Sequence, residues 1–156
     1  MTARKATTPR RGAPVRKSSG EPYILDNQAG FVLRQVSQRH SVIFVELIGE
    51  DITPTQWAAL AKLKEIGPTS QNLLGRLTAM DAATIKGVIL RLAKRQLVET
   101  LPDPADARRL IVQLTERGSQ MAKKLMPRAA AITQVTLAPL TAKEQSDLVS
   151  ILTKLR

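Results

Sequence analysis

The sequence predicts a mainly α fold carrying one small β-hairpin, and three observations lead to it. Apolar residues recur at i, i+3, i+4 and i+7 through several stretches, the spacing of one buried helix face. Helix-start residues stand at Thr53, Asp81, Thr115 and Thr141, each followed by a helix-forming stretch. A strand-like run at Leu97 to Leu101 and an alternating one at Arg109 to Leu114 flank the turn-forming run PDPAD. At 156 residues the chain suffices for one domain with a sizeable core.

Residues 1–20 (MTARKATTPRRGAPVRKSSG) contain almost no large apolar side chain. They cannot bury enough surface to offset ordering entropy, so a disordered arm is predicted. Six cations and no acid lie there, more than half of the net charge of +11. Such an arm either adds phosphate contacts and steepens the salt dependence of binding, or merely keeps the chain soluble.

From Ile24 to Leu47 runs a proline-free helical pattern in which Val32, Val36, Ile43 and Leu47 share a stripe with His40, and Gly49 ends it. In the TPTQ that follows, Thr53 is the N-cap, Pro54 the first helical position and Gln56 the capping-box partner. Trp57, Leu60, Ala61 and Leu63 form the apolar side of this second helix, and Gly67-Pro68 stops it. Thr69 or Ser70 caps a short third helix with Leu73, Leu74 and Leu77 turned inward.

A three-residue turn, Ala79-Met80-Asp81, leads into the stretch DAATIKGVILRLAKR, with Asp81 as N-cap. Ile85, Val88, Ile89 and Leu92 make its buried stripe, while Thr84, Lys86, Gly87, Arg91, Lys94 and Arg95 occupy other faces and no acid follows Asp81. Short polar groups near the helix start and cations further on suit a major groove, where small residues approach base edges and cations find phosphates. A solvated basic face is the plainer reading of the helix taken alone. Two short helices across so tight a turn, the second basic, nevertheless read as helix-turn-helix.

The next segment strengthens that reading. Leu97 to Leu101 is strand-like, and Leu110, Val112 and Leu114 alternate with Arg109, Ile111 and Gln113. This is a hairpin with a loop longer than a two-residue turn, carrying Arg108 and Arg109 just past its tip. It can lay arginines on an adjacent minor groove or backbone; equally, Arg108 can close the loop through Asp103 or Asp106. The predicted fold is thus a winged helix-turn-helix over residues 53–115. Its candidate DNA-contacting residues are Ser70, Gln71, Asn72, Ala83, Thr84, Lys86, Gly87, Arg91, Arg108 and Arg109.

Thr115 caps a further helix over about 116–126, interrupted by Pro127 and resumed to about Thr136. Thr141 and Glu144 make a capping box for a last helix whose apolar stripe is Leu148, Ile151, Leu152 and Leu155. Little chain is left to cover that stripe. A second copy, engaging it together with Val32 and Val36 of the first helix, is the predicted partner; packing on its own domain is the other reading. Residues 21–156 then form one domain, with long dimerisation helices at 24–48 and 116–156 around the DNA-binding lobe.

Composition narrows the function classes. A net charge of +11 points to a polyanionic partner, nucleic acid before an anionic membrane surface. Only 3% of residues are aromatic, which disfavours stacking-based binders of single strands. With no cysteine, one histidine, no Gly-rich phosphate loop and no paired carboxylates on a helix face, neither catalytic nor metal-binding residues nor a cofactor are expected. The absence of a long apolar run or of a secretory pattern predicts a cytoplasmic location.

The order of these elements and the stretch MDAATIKGVILRLAKRQLVETLPDPADARRLIVQLTERG resemble the MarR family of bacterial transcription regulators. The family's wing pattern is matched by Asp103, Asp106 and Arg108, followed by an alternating strand and LTERG at Leu114 to Gly118. Two positions depart from it: Ala107 stands where many relatives carry a second wing arginine, and Gln96 where glycine is usual. The resemblance implies a homodimer on a pseudo-palindromic operator, with half-sites about 34–36 Å apart. It also implies release of DNA by a small aromatic acid held between the dimerisation helices and the DNA-binding lobe. Arg39 and His40 are candidates for holding its carboxylate, and Phe44 and Trp57 for enclosing its ring. A hydrogen-bonded interface role for His40 and a core role for Trp57 stand beside that reading. Within the family the chain is most like repressors of nicotinate catabolism, which implies a hydroxylated pyridine carboxylate. A sequence-nonspecific architectural protein of the nucleoid is the alternative that charge alone would support.

Overall fold

The structure, a computed structural model, describes residues 22–104 and 106–155, and of residues 107 and 108 the backbone alone. The basic arm lies outside the described residues. A 3-10 turn (Leu25–Asn27) is followed by α1 (Ala29–Ile48), α2 (Pro54–Ile66), β1 (Thr69–Ser70), α3 (Gln71–Leu77) and α4 (Ala82–Lys94). Then come β2 (Val98–Asp103), β3 (Asp106–Leu114), α5 (Glu116–Leu137) and α6 (Ala142–Lys154). Mainly α with a three-stranded antiparallel wing in the order β1-β3-β2, this is the winged helix-turn-helix that the sequence predicts.

Local chemistry sets the helix ends. Gly49, at φ 63°, closes α1 in the left-handed region. Thr53 and Gln56 form the expected capping box of α2, Ser70 caps α3, Asp81 caps α4, Thr115 caps α5, and Thr141 with Glu144 opens α6. The core joins Ile43, Phe44 and Ile48 of α1 to Leu60 and Leu63 of α2, Leu74 of α3, and Ile85, Val88 and Leu92 of α4. Val98 and Val112 of the wing and Leu125 and Ile132 of α5 complete it.

Three local expectations are corrected. Leu73 and Leu77 of α3 are exposed and only Leu74 is buried. The reason is the close α3–α4 contact: a Cβ on Gly75 would lie 3.1 Å from Ile85, so the Leu74–Gly75 side faces α4 and the flanking leucines turn outward. The hairpin loop is also shorter than expected. Strand pairing resumes at Asp103 with Asp106 after a register shift at Pro102/Asp103, leaving two residues between them. A proline has no amide to give the ladder, so an irregularity there is the natural accommodation.

Finally, α5 runs unbroken from Glu116 to Leu137 with Pro127 inside it. A helix-interior proline costs roughly 3 kcal/mol in isolation. Pro127 is exposed, whereas Leu125 and Ile132 on either side are buried, and Arg128 donates to the Ile48 carbonyl at 2.8 Å. Packing along α1 holds the helix through its defect.

Candidate nucleic-acid interface and effector pocket

The wing is placed by β1. Thr69 pairs with Val112 and Ser70 with Ile111, so the strand carrying Arg109 is fastened to the residue that caps α3. The Ser70 hydroxyl accepts from the Leu73 amide at 3.3 Å. The result is an open cleft of about 330 Å³ lined by Ser70, Gln71, Asn72, Arg76, Arg109 and Leu110. Four of the residues singled out from sequence therefore meet in one place.

Arg76 was not among them, although it stands four residues after Asn72 and so shares its helix face. Two guanidiniums, an amide pair and a helix start make this cleft suited to phosphate oxygens. The Arg108 side chain lies outside the described residues.

α4 presents its outward surface beside this cleft in sequence. Asp81 accepts from the Thr84 amide at 2.7 Å, and this bond holds its carboxyl below the ordinary carboxylate value. Ala83, Thr84, Lys86 and Arg91 are exposed, and Gly87 is half-buried, with the Arg91 guanidinium 3.5 Å from where its Cβ would stand. Arg91 does not join the Ser70 cleft. It lines a second one, of about 510 Å³, with Lys94, Arg95, Asp51 and the first turn of α2. There Arg95 donates to the Asp51 carbonyl and ties the end of α4 to the α1–α2 corner. On its other side that corner is held by Lys124, which hydrogen-bonds Glu50 at 2.6 Å and lowers its pKa.

The sequence placed Arg39, His40, Phe44 and Trp57 in an effector site. His40, Phe44 and Trp57 do line one pocket, of about 170 Å³, together with Pro54 and with Ala129, Ile132 and Thr133 of α5. Arg39 does not. Its guanidinium donates to the Thr136 and Val135 carbonyls at 2.7 and 3.3 Å, so it staples α1 to α5. A carbonyl-rich helix end nearby captured a side chain whose residue type alone suggested a carboxylate partner. His40 places Nδ1 2.9 Å from the Thr136 hydroxyl, which leaves Nε2 for another partner. The α5 wall was missed because its apolar spacing does not say which helix it faces. At well under the roughly 300 Å³ of drug-sized sites, the pocket has room for a single ring.

Among the described residues no cluster of three metal-ligating side chains occurs, and no helix is long and apolar enough to cross a membrane. Val32, Val36, Ile151, Leu152 and Leu155 are exposed, Leu148 is half-buried, and α6 has no buried residue.

Residues 52–110 match the model of the MarR family. The HTH-type transcriptional repressor NicR of Pseudomonas putida is 38% identical over 97% of this chain and 94% of its own. A probable transcriptional regulator from Pseudomonas aeruginosa superposes with a TM-score of 0.84 at 50% identity, over 85% of this chain and all of that one. BpsR of Bordetella bronchiseptica, whose DNA binding is regulated by 6-hydroxynicotinic acid, gives a TM-score of 0.84 at 37% identity, over 86% of this chain and 97% of that one. With such likeness along nearly its full length, the chain belongs to the MarR family and is a transcriptional regulator rather than an enzyme.

Proposed function

We propose that the chain is a homodimeric repressor that binds an inverted-repeat operator and releases it when a hydroxylated pyridine carboxylate enters the α1–α2–α5 pocket. The observation that carries the DNA part is the cleft joining Ser70, Gln71, Asn72 and Arg76 of the α3 region to Arg109 of the wing. Charge on two separate elements converges there, next in the chain to a helix whose exposed face holds Lys86 and Arg91. In this reading Ala83, Thr84, Lys86 and Gly87 approach base edges, while Arg76, Arg91 and Arg109 hold phosphates, with Arg108 a further wing contact.

Dimerisation is supported by the uncovered apolar side chains of α6 and of Val32 and Val36 on α1. Two recognition helices related by a twofold axis must fall about one turn of DNA apart, which fixes the half-site spacing. The effector class is supported by the size of the pocket, its Phe44 and Trp57 walls, and the polar groups of His40 and Thr133. The likeness to NicR and BpsR points to the same chemistry.

The test is selection of bound duplexes from random DNA, followed by footprinting with and without 6-hydroxynicotinic acid. A short protected inverted repeat that loses protection when the acid is added supports the proposal. Uniform protection of every duplex with one common salt slope would sink it.

A further inference from the structure

We infer that Leu90 is a base-reading residue, seating the 5-methyl group of a thymine in the major groove. This rests on the reading that α4 enters duplex DNA. The four other large aliphatic side chains at the inward positions of α4 (Ile85, Val88, Ile89 and Leu92) are buried to 5% exposure or less, whereas Leu90 is 57% exposed. At 100° per residue it projects opposite that stripe, on the same side as Ala83, Gly87 and Lys94. Lys86 stands one turn before it and Lys94 one turn after, both exposed. An apolar knob thus stands between two lysines.

The flanking lysines decide the occupant. A second copy of this face would set lysine against lysine, and an apolar protein groove would leave the cations without partners. A major groove offers both matches: phosphates at its rim for the lysines and, as its apolar feature, the thymine methyl. Gly87, three residues before Leu90, has no side chain to hold the helix away from the base edge. A Cβ there would meet the Arg91 guanidinium at 3.5 Å, ordinary van der Waals contact, so what covers Gly87 is the far end of a flexible side chain that can swing toward a phosphate.

The experiment uses the full chain and the operator returned by the selection described above. Each thymine of the half-site is replaced, symmetrically in both halves, by deoxyuridine, which differs only in lacking the methyl group. Binding of the wild-type chain, Leu90→Ala and Leu90→Gln is measured by fluorescence anisotropy. The wild type should bind one of these substituted duplexes about fourfold more weakly per half-site, the worth of one buried carbon. Both variants should bind the thymine and deoxyuridine duplexes alike at that position. Equal wild-type affinity at every position, or a full methyl effect retained in Leu90→Ala, overturns the inference. A selection that returns no shared sequence overturns the operator reading itself, and is distinguishable because no substitution series can then be built.

Discussion

The Leu97 amide donates to the Leu92 carbonyl at 3.0 Å while the Gln96 amide donates to Ala93 at 2.8 Å, closing α4 in a left-handed turn. This pairing is a Schellman motif, with Leu92 and Leu97 buried against each other's turn. It requires φ 57° at Gln96, a conformation that glycine adopts without a Cβ penalty. Gln96→Gly should therefore raise unfolding free energy by about 1 kcal/mol, read from urea denaturation, with the slope unchanged. The Gln96 side-chain oxygen accepts from Arg117 at 3.5 Å, and a loss of stability would show that this bond matters more than the backbone strain.

Gly118 answers to a different constraint. A Cβ there would lie 1.8 Å from the Leu97 carbonyl oxygen, which also accepts from the Thr115 amide. Gly118→Ala must push α5 off the wing base, and should cost about 3 kcal/mol or more. A melting temperature within a few degrees of wild type would contradict that packing.

If the Ser70–Arg109 cleft holds DNA as proposed, Arg76→Ala and Arg109→Ala should each weaken operator binding across sequences and lower the slope of log affinity against log salt by about one. Titrations at several salt concentrations read this directly. An unchanged slope for both would remove the cleft from the interface.

In the proposed effector pocket, His40→Ala should blunt release by 6-hydroxynicotinic acid while leaving DNA affinity of the free protein near normal. Arg39→Ala provides the contrast. Its guanidinium is engaged by the Thr136 and Val135 carbonyls, so its loss should lower stability by at most about 1 kcal/mol and spare effector affinity. Calorimetric titration separates the two outcomes.

Acid should destabilise the fold through three carboxyls whose pKa values are lowered. Asp81 is held down by the Thr84 amide, Glu50 by the Lys124 hydrogen bond and Glu144 by the Thr141 amide. Each binds protons more weakly folded than unfolded, so its stabilisation is present above the ordinary values of 3.8 for Asp81 and 4.5 for the two Glu, and is lost as pH falls through the folded values. Asp81→Asn and Glu144→Gln keep the capping geometry without the titration, so melting curves below that range should fall less steeply for both.

Much of this architecture is legible in the chain because its signals are local. Thr53-Pro54 with Gln56, Asp81 before its aliphatic stripe, and Thr141 with Glu144 each satisfy backbone groups within one turn, and all recur as caps. What stays hidden depends on neighbours distant in sequence. Pro127 reads as a helix break until α1 is seen packed along α5. Arg39 reads as an anion ligand until Thr136, nearly a hundred residues later, takes its hydrogen bonds. Arg76 and Arg109 lie on separate elements, and only the short β1–β3 pairing brings them to one cleft.

The last helix carries a consequence for the cell. α6 is thirteen residues long with no buried side chain, and a helix of that length is marginal in water by itself. In the proposed dimer pairing holds it in place, and limited proteolysis of dilute, unpaired chain is expected to cut there first. Under that proposal unpaired copies are the ones expected to be degraded, which would tie the supply of assembled regulator to its own abundance.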